Sequence, residues 1–358
     1  MTAESSHVPF WIGTYTTPAP HVSNASGAGI LRGALDPQSG HVSVIPAADV
    51  PDPSYLALGL GRLFAVSETP GREGALYVFR IGPEGGLHLE TTVSSGAGNP
   101  CHVTVVGEEV AVANYLGNRL QRFRRSSGSG GWERGAAERC AGRGPIKDRQ
   151  EGPHLHQVVF LRDRREVAVC DLGIDRIWFH RVTQEGIEGR IAGSLATPPG
   201  CGPRHLVHSS ATASLYVLAE LSGEVLHYRW IAEELWELEA RWPLAGRGSG
   251  ELSGGAIKLH PEGNVLYASE RSRSNLHAFH VDPTCGRLEP AAVVGTCGKT
   301  PRDFGIDPSG RWLLALNQDS NTIATYPLDP HSALPIDNAR ITPCNTPVCV
   351  VFPENGMR

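Results

Sequence analysis

Arg204 and Glu220 are the residues of this 358-residue chain whose types and setting point most directly to chemistry. Arg204 opens the apolar segment Gly202-Pro203-Arg204-His205-Leu206. Glu220 closes the next one, Leu215-Tyr216-Val217-Leu218-Ala219-Glu220. If the two segments pair as antiparallel strands, the start of the first lies beside the end of the second. A guanidinium and a carboxylate then share one sheet edge. Such a pair can grip an anion, take a proton from water and steady negative charge developing on a carbonyl oxygen. A carboxylate beside a guanidinium stays ionised at neutral pH, which makes it a weak but well-placed base. His154 and His156, two apart and so on one face of a strand, are the alternative bases. Strands of the same kind elsewhere in the chain carry Leu56, Val103, Leu206, Ile257 and Phe304 where His156 stands, so a histidine there breaks an apolar pattern. His-x-His can also chelate, but no further His or Cys completes a ligand set, and no metal is expected.

The elements that must position these residues recur. Short apolar segments ending in a polar residue appear seven times, closing at positions 14, 68, 114, 171, 220, 270 and 317. That spacing fits the four-stranded blade of a propeller, which takes roughly 40–50 residues. Each such segment is followed by one carrying an aromatic residue or Leu, as in Leu76-Tyr77-Val78-Phe79 and Ile177-Trp178-Phe179, whose alternation suits packing between blades. An innermost strand precedes it, opening on Pro53-Ser54, Pro100-Cys101, Pro153-His154, Pro203-Arg204, Gly254-Gly255, Pro301-Arg302 and Pro347-Val348. The chain enters on the second strand of a blade and leaves on a lone first strand, Pro347-Val348-Cys349-Val350-Val351-Phe352. That strand can complete the first blade and remove its exposed edge. The expected fold is all-β: one seven-bladed propeller of four-stranded antiparallel blades spanning 1–358. A β-sandwich would explain neither the sevenfold count nor the split blade.

In such a ring, the starts of first strands and the ends of second strands surround one mouth of the central channel. The residues there include His154, Asp171, Arg204, Glu220, Arg302 and Asn317, with Arg271 one step beyond its strand. A funnel of arginines, histidines and carboxylates suits a small anionic ligand. The connection over 126–152 carries Arg143, Lys147 and Arg149 and can fold over the mouth to touch a phosphate. Asp171-Leu172-Gly173-Ile174-Asp175 is too short for a calcium loop and reads as a tight turn.

Composition removes other classes. A net charge of -5 gives no support for nucleic acid or an acidic membrane surface as partner. No apolar run approaches the roughly 18 residues a spanning helix needs. Met1 to His7 is polar, without the core of a secretion signal. Eight dispersed cysteines, none in a C-x-x-C pair, suit a reducing compartment, so a cytoplasmic location is expected. P-loop and dinucleotide glycine fingerprints are absent, and no cofactor is expected. The pattern carries no signal for oligomeric state.

The chain resembles the seven-bladed lactonase family that includes propeller-type 6-phosphogluconolactonase and the fungal carboxymuconate lactonising enzymes. The resemblance runs through Ile12-Gly13-Thr14-Tyr15, Ala113-Asn114-Tyr115, Arg149-Gln150-Glu151-Gly152-Pro153-His154-Leu155-His156 and Asp171-Leu172-Gly173-Ile174-Asp175. It continues in Gly202-Pro203-Arg204-His205-Leu206, Ala219-Glu220-Leu221, Pro301-Arg302-Asp303-Phe304 and Asn317-Gln318. It implies an active site on His154 or His156, Arg204, Glu220 and Arg271. The family usually has Asn-Arg-Gly where this chain has Glu270-Arg271-Ser272, so Glu270 could pair with Arg271 and weaken its hold on a substrate.

The resemblance implies hydrolysis of 6-phosphoglucono-1,5-lactone to 6-phosphogluconate in the pentose phosphate pathway. Glu220 or a histidine would be the base and Arg204 would stabilise the oxyanion. Arg271 and the Lys147 region would hold phosphate, with Arg149, Arg302, Asp171 and Asn317 also contacting substrate. The rival enzyme is a lactonising isomerase of carboxylated muconates. A third possibility, from a different class, is a propeller serving as a binding platform with a merely structural polar ring.

Overall fold

Why the second strand of each blade is a near-continuous apolar run follows from its position. It lies between two neighbouring blades, so both of its faces are covered. Val110 to Asn114, Val167 to Asp171 and Val265 to Glu270 are accordingly buried at every residue. The outermost strands read differently. Trp132–Arg139 and Leu235–Pro243 each bury a tryptophan and leave most of their other residues exposed.

The computed structural model describes residues 7–353 apart from 70–71, 127, 129, 233–234 and 245–250. Most of the polar stretch Met1 to His7 thus lies outside the described residues. Among the described residues, twenty-eight strands, β1–β28 in chain order, form seven antiparallel four-stranded sheets. The expected fold is the observed one. Helix is confined, among the described residues, to the single turn Leu172–Ile174.

Seven apolar clusters hold the ring together, one at each junction between adjacent blades. The junction of the last and first blades is also filled, with Phe10, Ile12, Leu314, Leu316 and Val350 packed together. The split blade closes as its sequence implies. β28 (Pro347–Val351) runs antiparallel to β1 (Val8–Thr14), placing Trp11 opposite Val351 and Ile12 opposite Val350. Asp303 adds a second tie, accepting the Val350 amide at 3.0 Å.

One local device recurs in all seven blades. Where the innermost strand meets the second, the register slips by a β-bulge. In β8 (Pro100–Val106), β12 (Leu155–Leu161), β16 (Pro203–Ser209) and β24 (Pro301–Ile306), the bulged residues are Cys101, His156, Arg204 and Arg302. A bulge re-aims one side chain without breaking the ladder beyond it. Here it turns one residue per blade towards the axis.

This register corrects the expected one at two places. Pro153-His154 is not the start of an inner strand. That strand opens on Leu155, paired with Asp171, so His156 is the counterpart of Cys101 and Arg204. The residue matching Val103 and Leu206 is therefore Val158, and His156 breaks no apolar pattern. The second correction concerns strand ends. Pro203 pairs with Ala219 and Pro53 with Ser67, so Glu220 and Glu68 stand one residue past the positions of Asn114, Asp171, Glu270 and Asn317. They share their place with Tyr115 and Arg271. A one-residue shift moves a side chain to the opposite face, and the site follows from that.

Candidate active site

Residues at these re-registered positions line a cavity of about 510 Å³ at one mouth of the channel. The bulges contribute Cys101, His156 and Arg302. The positions just past the second strands contribute Glu68, Tyr115, Glu220 and Arg271, and Arg149 reaches in from the rim. Side chains ending the second strands are instead spent on the scaffold. Asn317 is fully buried and donates to the Thr296 carbonyl at 2.8 Å. Asp171 accepts the His154 amide at 2.9 Å and the Trp178 indole at 3.2 Å, and burial pushes its pKa up to about 6.

Glu220 is the centre of the arrangement. Its Oε2 accepts from Arg204 Nε at 2.9 Å and lies 3.0 Å from Arg271 Nη2, while its Oε1 accepts from Arg149 Nη2 at 2.5 Å. Burial opposes its charge, but the guanidinium groups, Arg271 and Arg204 foremost, hold its pKa well below the usual carboxylate range. It is an ionised acceptor at any physiological pH. Arg204 is only 2% exposed and does not line the cavity. Its Nη1 also donates to the Gly255 carbonyl, which fastens the guanidinium beneath Glu220. Gly255 is required there, because a Cβ would come 2.4 Å from Ser269 Oγ and 2.7 Å from the Pro301 carbonyl. Burial lowers the Arg204 pKa to about 10, still far above neutrality.

Arg302 stands in contrast. It lines the cavity with its guanidinium over the Tyr15 ring, 5.2 Å from the centroid, and has no hydrogen-bond or ion-pair partner among the described residues. Tyr15 in turn donates to Glu68 at 2.7 Å. Arg271 is half-committed, since Nη2 donates to Ser253 Oγ at 2.8 Å while Nε is buried and unpaired. Glu270 does not compete for it. The Glu270 carboxylate is consumed by the amides of Ser253, Ser272 and Arg273.

The two histidines separate. His154 lies flat against Tyr115 with centroids 4.3 Å apart, bonded to the Tyr115 carbonyl and to Glu151. It does not line the cavity. His156 does, and its Nδ1 is buried without a partner. Burial and Arg204 push the His156 pKa well below 6.5, so the imidazole is neutral. Cys101 is no nucleophile. Its thiol donates to the carbonyls of His156 at 3.3 Å and Leu155 at 3.4 Å, and burial raises its pKa. Lys147 is exposed and off the cavity wall. Arg149 alone of the loop cations reaches in, because the next residue is pinned. Gln150 bonds the Leu172 carbonyl at 2.9 Å and Asp175 at 2.8 Å.

Two glutamates, three arginines, Tyr115, His156 and Cys101 therefore share one chamber. Tyr115 was the residue least visible as a site member, and the signal was its place one residue past the strand end at Asn114. The opposite mouth opens into a cavity of about 680 Å³ that, among the described residues, no arginine lines. Its Lys258 is already paired with Asp303 at 2.9 Å.

Among the described residues, no group of three or more His, Cys, Asp or Glu is placed to hold a metal ion. Exhaustive treatment with a chelator is expected to leave turnover within about twofold of the untreated rate. Activity lost and restored by zinc or calcium would instead make a histidine a ligand.

A family model described as a lactonase, 7-bladed β-propeller, matches residues 9–352. A Bacillus subtilis protein named 6-phosphogluconolactonase is 28% identical over 352 residues, 96% of this chain and 97% of that one. A Formosa agariphila protein of the same name is 28% identical over 337 residues, 89% of this chain and 92% of that one. Among solved structures, the periplasmic gluconolactonase of Pseudomonas aeruginosa superimposes with a TM-score of 0.87. It is 26% identical and the match covers 97% of this chain and 99% of that one.

Proposed function

The chain belongs to the seven-bladed β-propeller lactonase family, and we propose that it is a lactone hydrolase acting on 6-phosphoglucono-1,5-lactone. The whole chain is taken as one functional unit. The observation that carries the reading is an ionised carboxylate, Glu220, sharing a cavity with an unpaired guanidinium, Arg302.

Water attacks the lactone carbonyl carbon while Glu220 takes its proton. Arg302 donates to the carbonyl oxygen as it becomes an oxyanion, the charge-stabilising task that usually contributes most to such reactions. Collapse of the tetrahedral intermediate breaks the bond to the ring oxygen, which leaves with the proton returned by Glu220. The product is a hydroxy acid, ionised at neutral pH, with one net proton released. Arg204 acts through Glu220, holding its Oε2 from below. Neutral His156 flanks the attacking water. The phosphate lies at the rim, within the field of Arg149 and Arg271, where guanidinium geometry favours two-pronged contact with an anion. His154, Asp171 and Asn317 serve the scaffold in this reading, and Lys147 contributes only charge near the entrance.

The eight free cysteines suit a reducing compartment. The names of the Bacillus and Formosa relatives support the phosphorylated lactone as substrate, and we place its hydrolysis in the cytoplasm, on the pentose phosphate pathway. A second reading, an unphosphorylated sugar lactone as substrate, is favoured by the name of the Pseudomonas neighbour. Substrate preference decides between them. The kcat/KM for the phosphorylated lactone is expected to exceed that for glucono-1,5-lactone by about 10- to 100-fold, the worth of a charge-assisted contact of roughly 1.5–3 kcal/mol. Equal or reversed preference would assign the site to the uncharged sugar.

A further inference from the structure

The two oxygens of Glu220 are held unequally. Oε2 is gripped from below and beside by Arg204 and Arg271, at 2.9 and 3.0 Å, and both are anchored elsewhere, on the Gly255 carbonyl and Ser253 Oγ. Among the described residues, Oε1 is held by Arg149 alone, at 2.5 Å, and Arg149 is itself hydrogen-bonded to Tyr115. Arg149 comes from the connection between the third and fourth blades, not from a strand, and its side chain is 43% exposed against 16% for Arg271 and 2% for Arg204.

We infer that Arg149 is a latch on the catalytic carboxylate, opened by the substrate's own phosphate, and that this coupling sets the preference for a phosphorylated lactone. The inference rests on the hydrolase reading above. While Arg149 donates to Oε1, both carboxylate oxygens share their charge with guanidinium groups, which makes Oε1 a poor acceptor for a proton from water. A phosphate at the rim offers three strong acceptor oxygens and up to two negative charges. It draws the guanidinium away through side-chain rotation only, since Gln150 keeps the backbone beside it fixed. Oε1 then accepts from the attacking water, and Oε2 stays clamped, so the carboxylate keeps its orientation.

Losing one of three guanidinium partners also makes Glu220 a stronger base. The charged and titratable groups around it are Arg149, Arg204, Arg271 and Arg302, with His156 and Tyr115 neutral. Arg149 alone among them is both exposed at the rim and the sole partner of its oxygen. An unphosphorylated lactone brings nothing to open the latch.

Arg149→Met, assayed on both lactones with inorganic phosphate as the probe, tests this. In the wild-type protein, millimolar phosphate should raise kcat/KM on glucono-1,5-lactone by up to about tenfold, one charge-assisted contact's worth. The variant should already hydrolyse that lactone at the raised rate and ignore phosphate. Its rate on the phosphorylated lactone should fall, so that the preference collapses from both sides. The acid limb of its kcat/KM profile on the unphosphorylated lactone should move to higher pH. The inference is overturned if phosphate fails to activate the wild type. It is equally overturned if Arg149→Met slows both lactones alike, which would make Arg149 a simple binding residue. Absence of activity on any lactone in the wild type would instead bring down the hydrolase reading, and the latch with it.

Discussion

Glu220→Gln is expected to lower kcat by roughly 10²–10⁴ while leaving the ring folded, because an amide keeps the shape of the carboxylate but cannot take a proton from water. The substitution also removes the negative charge shared by Arg149, Arg204 and Arg271. A modest fall in melting temperature should accompany the loss of rate. Because the folded pKa of Glu220 is depressed, its contribution to stability is fully present above its ordinary value of 4.5. That contribution is lost as pH falls through the depressed one. For the same reason the wild-type rate should stay flat from neutral to mildly acid pH. Arg204→Ala should cost a similar factor through misplacement of Glu220, and the double variant should be scarcely worse than either single one, as for groups acting as a unit. Near-normal turnover in Glu220→Gln would transfer the base to His156, which His156→Asn would then abolish.

Deleting Val348 to Phe352 is the second large expected effect. β28 supplies the inner strand of the first blade, pairing with Trp11, Ile12, Gly13 and Thr14. Its removal bares the edge of β1 and takes Val350 from one junction cluster and Cys349 from the next. Phe352 also leaves the ring of Phe10, 5.2 Å from it. An exposed edge beside half-covered apolar faces favours association with other chains. The truncated protein should aggregate or lose its sharp thermal transition in calorimetry. A truncated protein melting with the same midpoint and cooperativity as the full chain would mean that the ring is not closed by this strand.

The blade count and the split blade were legible because they rest on apolar runs and their spacing, which burial between blades imposes directly. The pairing of Arg204 with Glu220 was legible for the same reason, as a consequence of antiparallel strands. The site was blurred by register. Proline marked the start of most inner strands, but Pro153 precedes its strand by two residues, and His154 was therefore placed where His156 stands. Choosing the last polar residue as the strand end grouped Glu220 with Asp171 and Asn317, although Ala219 and Ser67 hold those positions in their own blades. The recurrent bulge that turns Cys101, His156 and Arg302 inward is a property of the backbone ladder, and no residue type announces it. Arg149 was visible only as one of three cations in a loop. Its selection over Arg143 and Lys147 depends on the anchoring of Gln150.

Hydrolysis of 6-phosphoglucono-1,5-lactone in ¹⁸O-enriched water tests the central claim most directly. The lactone should disappear faster than its spontaneous opening, in proportion to enzyme concentration, with one ¹⁸O in the product carboxylate and no solvent hydrogen fixed on carbon. A rate no greater than the spontaneous one, or solvent hydrogen appearing on carbon, would contradict attack of water at the carbonyl under the control of Glu220 and Arg302.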